Sequence, residues 1–153
     1  MPSPRRARRL DLRAHHLLCL HGFRGLGYSP EFVTNMQQVV EALSRDAVRV
    51  EVGLGPDVIC QPCPHLVDRP QCADPAGTAR DRLVLATLEV SPGTVKPWRE
   101  WQERVAGRIS PARLTEICED CSWFPAGSCR AGLEALRKTK TRRQHKCEQT
   151  RQR

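Results

Sequence analysis

Apolar residues recur along this chain at two different steps, and the change of step marks where helices and strands are expected. Phe32, Val33, Met36, Val39, Val40 and Leu43 fall three and four residues apart, the spacing that gathers side chains on one face of a helix. Ser29 and Pro30 supply a cap and a first-turn residue for that helix. Val48, Val50 and Val52 alternate with Arg49 and Glu51, the step of a half-buried strand, which Gly53, Gly55 and Pro56 end. Leu83, Val84, Leu85 and Leu88 predict a helix over 79–89, closed by the turn Ser91-Pro92-Gly93. Pro97 opens an amphipathic segment carrying Trp98, Trp101, Val105 and Ile109. Ser110 and Pro111 repeat the cap signal and launch a short helix that delivers Cys118, and Ser128 is placed to cap a last helix. Near the start, Arg13 to Leu20 reads as a short helix stopped by Gly22, with Gly25 and Gly27 continuing into a loop. The expected fold is mainly α, a small α+β arrangement of several short helices with one clear strand and a second near Val95, around a cysteine-ligated metal site.

The 153 residues fit one domain of ordinary size. The formal charge of +8 invites a nucleic-acid hypothesis, but its distribution changes the picture. Residues 1–13 carry +4 and residues 130–153 carry +7, while 14–129 balance at −3. The basicity therefore belongs to the ends, read as a flexible arm over 1–12 and a disordered tail over 137–153 flanking one cysteine-rich domain over 13–136. Nucleic-acid binding is then expected only as weak, non-specific attraction to those ends.

No stretch approaches the roughly 20 apolar residues needed to cross a bilayer, so no membrane insertion is expected. The Arg-rich start is not followed by a secretory apolar run. A cytoplasmic location is the expectation, and there closely spaced cysteines serve as metal ligands or redox thiols in preference to disulfides.

Two cysteine groups are near-copies of each other. Cys60, Cys63 and Cys72 follow a C-x2-C-x8-C spacing, and Cys118, Cys121 and Cys129 follow C-x2-C-x7-C. A C-x2-C turn sets two sulfurs on one side of a tight loop, close enough for one zinc or for two irons of one cluster. Zinc ribbons usually separate their ligand pairs by about 12 to 20 residues, whereas 54 residues lie between Cys63 and Cys118. Spacing alone leaves zinc and iron–sulfur open. Four ligands complete one cubane, and the two turns offer Cys60, Cys63, Cys118 and Cys121 as metal ligands. In the competing arrangement each triplet forms its own site, drawing in Cys72 and Cys129, with Cys19 completing one site and a histidine, water or substrate the other.

Several stretches together resemble an uncharacterised family of small bacterial and archaeal cysteine-rich proteins suggested to bind iron–sulfur clusters. They are Arg13-Ala-His-His-Leu-Leu-Cys19, Gly22-Phe-Arg-Gly25, Gly27-Tyr28, Pro56-Asp-Val-Ile-Cys60, Cys63-Pro-His65 and Cys118-x-x-Cys121-x-Trp123. The resemblance runs from Leu10 to Leu136 and implies iron–sulfur in preference to zinc, without implying an activity. Cys147 lies outside it, as an expected surface thiol.

His15 and His16 precede Cys19 by four and three residues, so on a helix either imidazole can lie beside the thiol. These three are the candidate catalytic residues, as an activated thiolate or as further metal ligands; the alternative is a small apolar core with ordinary hydrogen bonds. His65 is expected behind a cysteine sulfur, and Trp98, Trp101 and Trp123 as core or as cover for the metal. The leading expectation is an iron–sulfur protein with one [4Fe-4S] cluster, in electron transfer with a redox protein partner or as a cluster-dependent accessory. The alternatives are a small enzyme with an open-site cluster and Cys19/His chemistry, and a zinc-stabilised nucleic-acid binder.

Overall fold

The computed structural model describes residues 8–45, 47–63 and 75–152. In chain order these form β1 (Arg9–Arg13), α1 (His16–Gly22), α2 (Pro30–Arg45), β2 (Arg49–Gly53), α3 (Pro75–Leu88), β3 (Val95–Pro97), α4 (Trp98–Arg108), α5 (Pro111–Cys118) and α6 (Ser128–Arg151). A single turn of 3-10 helix over Phe124–Ala126 leads into α6. The mainly helical, small α+β class matches the expectation, with a sheet of three strands in the order β1-β2-β3.

β1 runs parallel to β2, Leu10 opposite Val50 and Leu12 opposite Val52, and β3 runs antiparallel on the other side. β1 was not expected. Leu10 and Leu12 alternate between Arg9, Asp11 and Arg13, a strand pattern hidden inside what reads as a basic arm. Residues 9–12 are thus part of the sheet, and the first helix begins at His16 instead of Arg13. Leu12, Val50 and Val52 are buried, and Trp101 packs into the core with its indole N–H donating to Val50 O at 2.9 Å.

The cap signals are realised in two places. Ser29 Oγ accepts from Phe32 N at 3.1 Å, and Ser110 Oγ accepts from Arg113 N at 3.1 Å. In α2 the predicted stripe is buried at Phe32, Met36, Val39 and Leu43. α6 differs from its expectation at both ends. Its cap is Gly127, at φ +80°, with no side-chain hydrogen bond, and Ser128 is already helical. Its far end continues as helix to Arg151, where a disordered tail was expected. The stretch 137–151 contains neither Gly nor Pro and is rich in Lys, Arg, Gln and Glu, which are strong helix formers. No helix among the described residues is long and apolar enough to cross a membrane.

Candidate metal centre

The two C-x2-C segments fold into the same turn. Cys63 N–H donates to Cys60 O at 2.9 Å, and Cys121 N–H donates to Cys118 O, also at 2.9 Å. They arrive on different supports: Cys60 and Cys63 on the loop after β2, Cys118 and Cys121 at the C-terminal end of α5. Cys19, Cys60, Cys63, Cys118 and Cys121 line one small cavity of about 60 Å³. All four expected ligands are therefore brought together, and Cys19 joins them from α1. Cys72 and His65 lie outside the described residues. Cys147 is exposed, and no disulfide joins the described cysteines.

A second grouping overlaps the first. Burial pushes the Cys19 thiol well up, and the charges of Cys118, Cys129 and Cys121 push it further, against Arg80. Burial pushes Cys118 up to about 12, with Cys121 and Cys129 adding to it and Arg80 opposing. Cys129 is raised by burial and by Cys121, while Arg24 opposes. Cys19 joins the two neighbourhoods, lining the first cavity with Cys118 and Cys121 and a second one with Cys129. Four thiols are the complement of one cubane, and a metal must displace their protons to bind.

Backbone packing makes this grouping possible. α1 lies directly on α6, and a Cβ on Gly22 would meet Cys129 Cα and Sγ at 2.8 Å, while one on Gly132 would collide with His21 O. Gly22 ends α1, as its residue type suggests, but its larger role is to let Cys129 approach Cys19. Arg24 bonds its own helix end, donating to His21 O at 3.1 Å and Phe23 O at 2.8 Å.

The first turn is held differently, by two buried carboxylates that the sequence did not single out. Asp57 Oδ1 accepts from Ile59 N at 2.9 Å and Cys60 N at 3.2 Å. Its Oδ2 accepts from Arg13 N at 2.7 Å and faces His16 Nδ1 at 2.8 Å. Asp81, fully buried, takes Arg13 Nε and Nη2 at 3.0 and 2.8 Å and Gly55 N at 3.1 Å. It also takes the backbone N–H of His15 at 3.1 Å and faces His15 Nδ1 at 2.7 Å. Asp57 had a local signal, an acid three residues before a cysteine turn. Asp81 had none, being one polar residue in a helical stretch.

These contacts fix charge states. Burial alone would raise Asp81, but hydrogen bonds from His15 and Arg13 hold it down at about 2. Burial lowers His15 to about 4 against the pull of Asp81, so at neutral pH its imidazole is neutral and Nδ1–H donates to the carboxylate. Burial pulls Arg13 down, yet the hydrogen bond and charge of Asp81 outweigh it and the guanidinium stays charged. Its Nη1 lies 4.0 Å from Cys60 Sγ, and burial followed by the charge of Asp57 pushes that thiol up to about 12. Nδ1 of each histidine faces a carboxylate while both rings line the same cavity as Cys19, whose thiol is raised by burial, the opposite of an activated nucleophile.

Trp123 covers the cavity, 4.8 Å from the Tyr28 ring and 5.6 Å from Phe32. Trp101 belongs to the core, and Trp98 stacks on His21 at 5.4 Å.

The model of one family, described as a protein of unknown function (DUF1284), matches residues 27–127. The match takes in both C-x2-C turns and stops short of Cys19 and Cys129. No curated protein and no solved structure matches the chain. The chain belongs to the DUF1284 family.

Proposed function

We propose that this DUF1284 chain is an iron–sulfur protein in which Cys19, Cys118, Cys121 and Cys129 hold one [4Fe-4S] cluster that serves electron transfer. The observation that carries the reading is the place of Cys19, which lines one cavity with Cys118 and Cys121 and a neighbouring one with Cys129. A bound cubane supplies one-electron redox chemistry. The chain's own residues bind it, exclude water and balance its charge. Trp123 shields one side, and Arg13 and Arg80 stand at the cavity wall, where positive charge offsets that of thiolates. A single zinc keeps its sulfurs about 3.8 Å apart; among the described residues the three-donor group within 4.8 Å is His16, Asp57 and Cys60, and it contains one thiol. That wider spread of thiols favours a cluster over one zinc.

A second reading keeps Cys60, Cys63, Cys118 and Cys121 as the ligands, favoured by the cavity they share. Variants separate the two: Cys129→Ser should abolish the cluster in the first and spare it in the second, and Cys60→Ser the reverse. A redox protein is the partner class this function calls for. The reading is tested by iron and sulfide analysis with visible and spin-resonance spectra on protein isolated without oxygen. About four irons and four sulfides per chain are expected; zinc in place of iron, or no metal and sulfide after reconstitution, overturns it.

A further inference from the structure

α6 carries most of the chain's excess positive charge, and part of that charge is set around a groove. A cavity of about 630 Å³ lies between α5 and α6. Leu114 and Leu133, both buried, form its apolar floor beside Pro111. Arg130, Arg137, Lys138 and Arg142 line it against the single carboxylate of Glu134. Three of these cations are held in place. Arg130 lies over the Phe124 ring, 4.6 Å from its centre. Arg137 donates from Nη1 to Ala106 O at 3.1 Å and Ile109 O at 3.0 Å, and Lys138 meets Glu134 at 3.0 Å. The ring and the carbonyls are neutral, so these contacts order the side chains without cancelling the positive charge of the rim.

An ordered basic rim around an apolar floor is the counterpart of an acidic amphipathic helix, whose apolar anchors enter the groove while its carboxylates meet the cations. The α6 residues of the groove run from Arg130 to Arg142, about 18 Å of helix, which is room for three turns of such a partner. Nucleic acid fits less well. Single strands are gripped by stacking bases on aromatic rings, and none of the described residues lining the groove is aromatic, while an apolar floor offers nothing to a phosphate backbone. The groove also backs onto the candidate metal centre. Leu114 precedes Cys118 by one turn on α5, and Leu133 follows Cys129 by one turn on α6, so each floor residue lies about 6 Å along its helix from a proposed ligand.

We infer that the groove between α5 and α6 is the docking site of the redox protein, and that this partner presents an acidic amphipathic helix to it. The transfer served there moves one electron between partner and cluster, with no bond made or broken. The redox purpose of the docking rests on the cluster proposed above, so binding and electron transfer are measured separately. The binding probe is a fluorescein-labelled helical peptide of about 14 residues, with Leu along one face and Glu elsewhere, long enough to span the groove and read by fluorescence anisotropy with the full-length chain. Binding should weaken as salt rises. Lys138→Glu/Arg142→Glu, at two exposed positions, should weaken it at least about tenfold. Lys146→Glu/Arg151→Glu, the same change of charge outside the groove, should stay within about twofold. Ser in place of the peptide's Leu should also cost at least about tenfold. Absence of binding, equal losses in the two double variants, or a short DNA duplex that binds more tightly than the peptide and is lost in Lys138→Glu/Arg142→Glu overturns the groove as a site for an acidic protein. In the iron-loaded chain, a reduced, acidic plant-type ferredoxin should reduce the cluster at least about tenfold more slowly in Lys138→Glu/Arg142→Glu than in wild type, while dithionite, which needs no docking, should reduce both alike. Equal rates with the ferredoxin overturn the redox role. A chain that binds the peptide as described but holds no iron and sulfide overturns the cluster and leaves the groove as a docking site for an acidic protein.

Discussion

The two C-x2-C turns share a sequence pattern and the same 2.9 Å backbone bond, but they are built from different materials. Cys118 and Cys121 end a helix, and their neighbours are other thiols delivered by α1 and α6. Cys60 and Cys63 lie on a loop whose amides, histidine and arginine are gathered by Asp57 and Asp81. A wall made by helix packing can hold a charged metal group only by exchanging protons for metal. A wall made by buried carboxylates and a guanidinium is charged and ordered beforehand. The turn motif fixes how two sulfurs are presented; the surroundings decide what else can bind with them.

The sharpest way to break this comparison is to remove one sulfur from each turn. Cys118→Ser should eliminate iron and sulfide, while Cys60→Ser should keep them, read by metal analysis; equal losses would erase the distinction. Next in size is Asp81→Asn, which strands the Arg13 guanidinium at 2% exposure. Breaking a buried pair from one side costs about 3–5 kcal/mol, measured by urea unfolding of the metal-free chain. The exposed pair Glu41–Arg45, at 3.0 Å, gives the contrast in the same assay, because Glu41→Ala should cost no more than about 0.5 kcal/mol.

Acid should act on the loop wall in two stages. His15 is lowered from 6.5 to about 4 in the folded chain, so the unfolded chain binds more protons between those values. The stability of the neutral imidazole is complete above pH 6.5 and is lost as the pH falls towards 4, by up to about 3 kcal/mol. Asp81, held at about 2 against 3.8, contributes stability above pH 4 that is lost on further descent towards 2. Urea midpoints at pH 7, 5.5 and 4 check this, and because burial also lowers His21 from 6.5 to about 4, His15→Gln should reduce the first stage by about half.

Gly22→Ala probes the helix wall. Its methyl group would need the space of Cys129, so a loss of about 1–3 kcal/mol is expected from overpacking, together with reduced iron retention and an unchanged acid profile. The smallest effect belongs to the exposed end of α6. Removing residues 141–153 should leave iron content unchanged and stability within about 0.5 kcal/mol, while reducing any salt-sensitive attraction to nucleic acid. Filter binding and unfolding of the truncated chain check both.

Much of this was legible one segment at a time. Ser29 and Ser110 announce their helices because a cap is a contact between residues three apart, and Val48, Val50 and Val52 announce β2 because alternation is a property of the strand itself. The paired C-x2-C turns were legible for the same reason. β1 was hidden because its evidence is a partner strand 40 residues away, Arg9 opposite Arg49, while its own letters read as basic arm. Asp81 was invisible because nothing near it in sequence asks for a carboxylate; its partners are Arg13 and His15, folded onto it from the other end of the chain. The meeting of Cys19 with Cys129 required α1 and α6 to touch backbone to backbone at Gly22 and Gly132. The sequence by itself determined the donors and the turns that present them, since those depend on local geometry. Only the tertiary structure decided which donors meet and which buried charges hold them, because that depends on long-range packing no local pattern encodes.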